Sequence, residues 1–469
     1  MSGIISYGTY LPYFRLQRSQ LSATLGTPPG KGTRSVASFD EDPTSMGVEA
    51  ARAALTATPD EVSARALYFA TTRPPYLDKA NATVIHAALG LDQDVFAADM
   101  VGSIRSGVGA LCAAMQAAEP TLAVLSDIRT GLPGGADERD GGDGAVALLC
   151  AASGDFIAEY LGGASATTEV LDRWRNPGDL AARVWEERFG ESVYGPLATA
   201  AFADALAKVS IAPGDIDHLI VTGSHTRSIR RIAKSTGAPS TALVDDLAAV
   251  VGNTGTAHPA LLLASVLDRA GPGEVIAVVV IADGVDVLVF RTTARLAERR
   301  QPVSVSRQLA VTSEDLTVAK FHTWRGVYRL EPPRRPDPQG PSAPPAFRHA
   351  DWKFGFVGSL CECGTRHLPP SLVCRHCGAV EKMTPERCTE VPGTVTTFSI
   401  DHLVYSESPP VVFGVIDFDG GGRYQCELTD MNPAEIAVGT RVEMTFRKLY
   451  TVDGIHNYHW KARPTRGEQ

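Results

Sequence analysis

Four cysteines, Cys361, Cys363, Cys374 and Cys377, fall within seventeen residues, and each pair is closed by a glycine, Gly364 or Gly378. Paired thiolates on tight turns are the donor set of a tetrahedral zinc, and four protein ligands leave no open position, so such a zinc is structural. The second pair, C-x-x-C, has the usual spacing, while the first, C-x-C, is one residue short. Two alternatives stand beside four-cysteine zinc: a metal-free ribbon that keeps its shape, or His367 or His376 as a substitute ligand. The other cysteines, Cys112, Cys150, Cys388 and Cys426, are scattered. A cytoplasmic location is expected, and in a reducing cytosol clustered cysteines are metal ligands rather than disulfides.

The elements that must carry these residues divide the chain. Residues 1–295 read as α/β, with apolar strand-like runs alternating with Ala-rich helical stretches. A period of 150 residues is visible. The segment 46–55 (MGVEAARAAL) leads to a strand ending near Thr72, and 197–206 (LATAAFADAL) leads to one ending near Thr222. Likewise 101–111 (VGSIRSGVGAL) precedes 251–261 (VGNTGTAHPAL) by the same offset. Duplication is the better reading than chance. The Pro-rich segment 331–345 is expected to be an extended linker without regular structure. Beyond it, short strands at 393–400, 411–418, 423–428 and 441–446 suit a small β-barrel.

With 469 residues, 44 Lys+Arg against 53 Asp+Glu and a net charge of −9, the chain is globular in composition and mildly acidic. That charge argues against nucleic acid as a partner. No apolar run approaches the ~20 residues of a membrane helix. The first residues carry neither a basic nor a long apolar stretch, which predicts no secretory signal.

The first 295 residues resemble the thiolase superfamily, most of all its HMG-CoA synthase and ketoacyl-ACP synthase III branches. Residues 3–12 (GIISYGTYLP), 70–79 (ATTRPPYLDK), the loop and helix 99–111, the Gly252-Asn253-Thr254 turn and the strand 284–290 carry the likeness. Residues from about 315 onward resemble the zinc-ribbon/OB-fold proteins that partner acyl-CoA thiolases, through Trp324-Arg325-Gly326, the Cys segment with Leu368-Pro369-Pro370, 420–423 (GGGR), Leu428-Thr429-Asp430 and Phe446-Arg447. The resemblance implies an α/β, duplicated, five-layered fold of two sheets around buried helices, then a zinc ribbon and an OB-type barrel. The expected units are thiolase-like halves at 1–155 and 156–300, a helical segment with the Pro-rich linker at 301–350, a ribbon at 351–390 and the barrel at 391–469. It also implies coenzyme A thioester as substrate, a homodimer through the thiolase halves, and further acyl-CoA enzymes as partners.

Claisen-type members need a Cys thiolate to accept the acyl group, a His, and oxyanion donors. Here the register places Ile104 at the Cys position, Thr222 at the His position and Thr72 at the position of the Glu base of HMG-CoA synthases. Shifting the register by three would restore a histidine, His225. Neither Ser103 nor Ser106 has the register to replace the Cys, and Cys112 reads as helix packing. Three substitutions at three chemical positions predict carbon–carbon bond making or breaking in an acyl-CoA without a Cys acyl-enzyme, as in retro-aldol cleavage. The candidate site residues are His225, Asn253, Tyr76, Asp99 and His258. Each has a structural alternative: His258 as a helix cap, Tyr76 as dimer packing, Asp99 as a loop anchor. The rival function is a catalytically inactive acyl-CoA-binding scaffold or partner subunit; an OB-type nucleic-acid binder is the remote one. For the basic residues Arg447, Lys448, Lys461 and Arg463, contact with CoA phosphates and a solvated face are equal readings.

Overall fold

The computed structural model describes residues 2–27, 30–336 and 338–466. The first half contains β1 (Ser2–Tyr10), α1 (Pro43–Thr56), β2 (Ala66–Thr71), α2 (Ala82–Leu89), β3 (Phe96–Val101), α3 (Arg105–Gln116), β4 (Thr121–Asp127) and β5 (Gly144–Ala151). The second repeats it with β6 (Ala158–Ala166), α4 (Glu187–Val209), β7 (His218–Gly223), α5 (Thr226–Ser235), α6 (His258–Leu267), β8 (Val275–Ile281) and β9 (Val285–Thr292). Local chemistry sets these ends. At α1, Asp42 accepts the Ser45 N–H, Ser45 Oγ accepts the Asp42 N–H, and Pro43 fills the first turn, so two donors without helical partners are satisfied reciprocally.

The strand order confirms the duplication. The first half runs β1-β5-β4-β2-β3 and the second β6-β9-β8-β7, counterpart for counterpart. The second-half counterpart of β3 is reduced to one bridge, Leu219 to Leu243. The two sheets expected are continuous. Residues 2–4 of β1 pair with 158–160 of β6, making one nine-stranded sheet. Its halves still enclose a shared core. All ten residues of α6 are buried, and α3 and α6 pack against strands of both halves. α1 and α2 cover the outer face of the first half, and α4 and α5 that of the second. Gly107 lets α3 into this layer, since a Cβ there would lie 2.6 Å from the Thr256 carbonyl oxygen.

Past β9 come two short helices, α7 (Val305–Ala310) and α8 (Val318–Trp324). The Pro-rich segment is irregular only up to its last residues. Ala343-Pro344-Pro345 opens a helix, α9 (Ala343–Arg348), which corrects the linker expectation: proline in a first turn lacks an N–H that has no helical acceptor anyway. A three-stranded sheet of β10 (Val357–Cys361), β11 (Arg366–His367) and β12 (Met383–Arg387) forms the ribbon. The barrel is closed by β13 (Gly393–Asp401), β14 (Val411–Phe418), β15 (Arg423–Leu428), β16 (Arg441–Val452) and β17 (Ile455–Pro464). The reading named only four strands because β17 mixes aromatic and charged residues without clean alternation.

Candidate active site

α3 begins where the two halves meet, and its start lines a cavity of about 80 Å³. Ser103 and Ile104 form one wall, Thr72 and Arg73 from the end of β2 another, with Ile128, Arg129, Arg173, Trp174, Arg175, Ser224 and Asp283 around them. Ile104 is 5% exposed. Among the described residues, no cysteine lines this cavity. Cys112 sits two turns along α3, and burial pushes its thiol up to about 11; Cys150 is fully buried in β5. Neither is a nucleophile at neutral pH.

Asp127, at the end of β4, fixes the wall. Its carboxylate accepts from Thr71 Oγ1 (2.9 Å), Thr72 N (2.7 Å), Thr72 Oγ1 (2.8 Å) and Thr256 N (2.8 Å). One buried acid thus joins the end of β2 to the turn before α6. Thr72 reaches the cavity as a hydroxyl already bonded to a carboxylate. Thr222 is 2% exposed inside β7 and does not line the cavity; Ser224, two residues on, does.

The five predicted site residues are not brought together there. His225 caps α5: its Nδ1 accepts the Ser228 N–H at 3.2 Å, and its ring packs 5.7 Å from Tyr194. A Cβ at Gly190 would meet its Nε2 at 2.5 Å, so α4 closes over it. Asn253 spends its amide on backbone, donating to Gly223 O (2.7 Å) and accepting from Gly255 N (2.9 Å). His258 is 3% exposed, accepts the Thr254 N–H at 3.3 Å, and burial holds its imidazole down to about 4. Asp99 anchors the start of α2 by accepting from Asn81 N, Asn81 Nδ2 and Ala82 N at 2.7–2.9 Å. Tyr76 faces the barrel, where its hydroxyl accepts the His456 N–H at 2.8 Å. Each places a polar side chain beside a loop or helix start, Asp99 from within β3, and such residues satisfy local backbone as readily as they do chemistry.

The residues the sequence did not single out are arginines. Arg73 donates to Leu180 O at 2.8 Å; Arg175 donates to Thr72 O at 2.5 Å and Asp179 O at 3.4 Å. Arg129 (3.3 Å) and Arg173 share the carboxylate of Asp137. Burial, then the charges of Arg175 and Arg325, brings Arg73 down to about 10. Asp283, also in the wall, holds a left-handed backbone (φ 49°) at the β8–β9 turn, and its carbonyl accepts from Arg105 at 2.8 Å. The only sequence signal was Arg73 inside the 70–79 motif; the others come from segments distant in the chain.

Of the four basic barrel residues, three are buried in ion pairs and Lys448 is half-buried. Arg447, Lys461 and Arg463 are at most 8% exposed. Arg447 pairs with Glu41 and with Asp430 (2.6 Å), Lys461 with Asp40 (3.0 Å) and Glu427 (2.6 Å), and Arg463 with Glu49 (3.0 Å) and Glu443 (2.8 Å). Lys448 gives its backbone N–H to Asp40 O. Asp40, Glu41 and Glu49 belong to the first half and α1, so these cations weld the barrel to it. Of the barrel aromatics, Phe418 and Phe446 are core, and Phe398 packs against it.

In the ribbon the four cysteine sulfurs lie within 4.8 Å of one another, and neither histidine is needed to complete the set. Cys361 and Cys377 Sγ are 3.6 Å apart, as are Cys363 and Cys374. Tetrahedral thiolates at 2.3 Å from zinc would be ~3.8 Å apart. The N–H groups of His376 and Cys377 donate to Cys374 Sγ at 3.4 and 3.5 Å, and such bonds hold that thiol down to about 5. Gly364 and Gly378 take φ of 85° and 73° as the knuckles turn. The short first pair therefore closes without displacing a sulfur.

Comparison with known proteins agrees with this architecture. The family model described as the ChsH2 C-terminal OB-fold domain matches residues 390–447. Hydroxymethylglutaryl-CoA synthase of Thermococcus sibiricus is 28% identical over 344 residues, covering 70% of this chain and 97% of that protein. The enzyme of Methanopyrus kandleri is 30% identical over 319 residues, covering 64% and 90%. Among solved structures, HMG-CoA synthase complexed with CoA shares the fold at 18% identity, with TM-score 0.59 over 69% of this chain and 89% of that one. The 3-oxoacyl-[acyl-carrier-protein] synthase III of Aquifex aeolicus does so at 18%, TM-score 0.52, over 62% and 100%. The thiolase-like frame with its OB barrel, expected from the motifs, is therefore the fold, and the chain belongs to the hydroxymethylglutaryl-CoA synthase family.

Proposed function

We propose that the chain is an acyl-CoA enzyme that makes or breaks a carbon–carbon bond by aldol or retro-aldol chemistry, without an acyl-enzyme on cysteine. The observation that carries this reading is Ile104 at the start of α3, lining the cavity in place of a thiol. In the cleavage direction, the carboxylate of Asp283 takes the β-hydroxyl proton as the Cα–Cβ bond breaks. The O–H electron pair becomes the new C=O, and the bonding pair passes into the thioester enolate. The neighbouring guanidinium groups stabilise that oxyanion. The enolate carbon then recovers the proton from Asp283, so protons balance over the cycle. Asp283 takes this role from His225, which is engaged in capping α5.

A non-catalytic acyl-CoA scaffold is favoured by one fact: His225 and Asn253 both spend their polar atoms on structure. A lining dominated by charge favours the enzyme. Incubation with a panel of β-hydroxyacyl-CoAs, with mass spectrometry of the CoA products, decides. Turnover that survives thiol alkylation and is lost in Asp283→Asn is expected; binding without turnover across the panel overturns the enzyme reading.

Structural zinc on Cys361, Cys363, Cys374 and Cys377 belongs to the same proposal, supported by the sulfur spacing. Elemental analysis should give about one zinc per chain, lost in Cys374→Ser. The reading includes a cytoplasmic location, which suits clustered thiolates, and a homodimer. The end strand β3, with Phe96 59% and Val101 45% exposed, supports a second copy at that edge; a monomer in sedimentation velocity would refute it. Among the described residues no helix is long and apolar enough to cross a membrane.

A further inference from the structure

The barrel reaches the loop that carries the cavity wall. β16 and β17 form a hairpin closed by a two-residue turn, Asp453-Gly454, with φ of 52° and 76°. Two positive φ angles give a turn whose twist matches that of its strands, so the hairpin is stiff. Its base is pinned to the first half. The Lys448 N–H donates to Asp40 O at 2.9 Å, and the Tyr458 hydroxyl donates to the Asp42 carboxylate at 2.6 Å. Its tip lies on Tyr76. The His456 N–H donates to Tyr76 Oη at 2.8 Å, and the two rings are 4.9 Å apart at 41°. Thr451, paired with His456 across the hairpin, brings its Oγ1 to 2.8 Å from Nδ1 and holds the imidazole in place.

Tyr76 stands three residues from Arg73, which lines the cavity. Between them are Pro74 and Pro75. Each proline ring locks φ near about −65°, so a shift at Tyr76 is carried to Arg73 rather than absorbed. On the other side of Arg73, Asp127 holds Thr72 by its N–H and hydroxyl at 2.7 and 2.8 Å. Beyond Tyr76 the chain turns on Asn81, whose Oδ1 accepts the Tyr76 N–H at 3.0 Å and whose Nδ2 donates to Tyr76 O at 2.9 Å. Arg73 is thus set between two fixed points, Asp127 in the first half and the hairpin of the barrel. The seam of ion pairs at Arg447, Lys461 and Arg463 already welds the barrel in place. A neutral hydrogen bond and a ring contact add little to that docking; what they define is the loop. Among the described residues, none of the barrel lines the cavity itself.

We propose that the barrel hairpin positions the cavity wall: His456, through Tyr76 and the two prolines, sets where Arg73 presents its guanidinium. His456 and Tyr76 are positioning residues, and Arg73 is the group they act through. The consequence for turnover rests on the acyl-CoA reading, whereas the placement of the loop does not.

Hydrogen–deuterium exchange of the full chain, read by mass spectrometry, tests the placement. Tyr76→Phe removes the hydroxyl that accepts the His456 N–H, and His456→Ala removes the ring. Exchange over residues 66–78 should rise about fivefold or more in each, with the barrel strands 411–428 unchanged as the check on folding. His456→Phe, which keeps a ring over Tyr76, should recover most of the protection. Turnover of β-hydroxyacyl-CoAs tests the consequence. In His456→Ala, kcat should fall about tenfold with little change in KM, since misplacing a group in the wall costs rate. The same substitution should add almost nothing in an Arg73→Gln background, because residues that act through one group are not additive. Unchanged exchange over 66–78 overturns the proposal whatever the turnover. Faster exchange with an unchanged kcat in an active enzyme overturns it too, and so does a full loss on top of Arg73→Gln. A wild type that turns over none of the panel sinks the acyl-CoA reading, and the exchange result alone then upholds or overturns the placement.

Discussion

The cavity at the start of α3 and the seam between barrel and first half use the same residue types to opposite effect. In the seam, Arg447, Lys461, Arg463 and Arg466 face carboxylates, namely Asp40, Glu41, Glu49, Asp430 and Glu443. In the cavity, Arg73 and Arg175 have carbonyls. Compensated charge inside a protein fixes one arrangement of its parts, whereas a carbonyl orients a guanidinium without cancelling its charge.

The comparison breaks first at Arg447. Arg447→Met leaves Asp430 and Glu41 buried without their shared cation, and removing one partner of such a network costs about 3–5 kcal/mol. Denaturant unfolding should read a loss of that size; a change under 1 kcal/mol would mean the seam is not held by charge. Acid probes the same network. Burial would raise Glu49, but Arg52, Arg463 and the Phe446 N–H outweigh it and hold it at about 2 against an ordinary 4.5. Its stabilisation is complete above pH ~4.5 and drains as pH falls toward 2, about 2–3 kcal/mol in all. Glu41, pushed up by burial, works the other way and blunts the effect. Melting temperature against pH should therefore fall below pH ~4.5; a flat curve down to pH 3 would contradict the pairing.

The cavity arginines should behave inversely. Arg175→Gln changes an exposed side chain without an ion pair and should change stability in denaturant unfolding by less than about 0.5 kcal/mol. A large stability loss there would place Arg175 with the seam. The wall lies between the two: Ile104→Val should cost about 0.5–1.5 kcal/mol of stability in denaturant unfolding.

Legibility followed the range of the interactions. The duplication was visible at 150 residues, because each half must build the same strands and helices from local pattern. The cysteine ribbon was visible because its ligands lie within seventeen residues. The joining of two sheets into one was not, since it depends on three residues of β1 meeting β6. His225, Asn253, Tyr76, Asp99 and His258 have the right chemistry, but they lie beside loops and helix starts, where backbone N–H and C=O groups compete for polar side chains, and in this molecule they win. Arg447, Lys461 and Arg463 read as a basic strip because three of their partners, Asp40, Glu41 and Glu49, lie some four hundred residues earlier.

The sequence by itself determined the thiolase-like frame, the barrel and the exchange of the nucleophile for Ile104, all of them written in periodicity, spacing and residue identity. Only the tertiary structure decided which charges are paired. Arg73, Arg129, Arg173 and Arg175 stand up to about a hundred residues apart in the chain, yet they enclose one cavity. Whether a charge is neutralised depends on distances of a few ångströms between such segments, and Coulomb energy in a buried site changes steeply over that range.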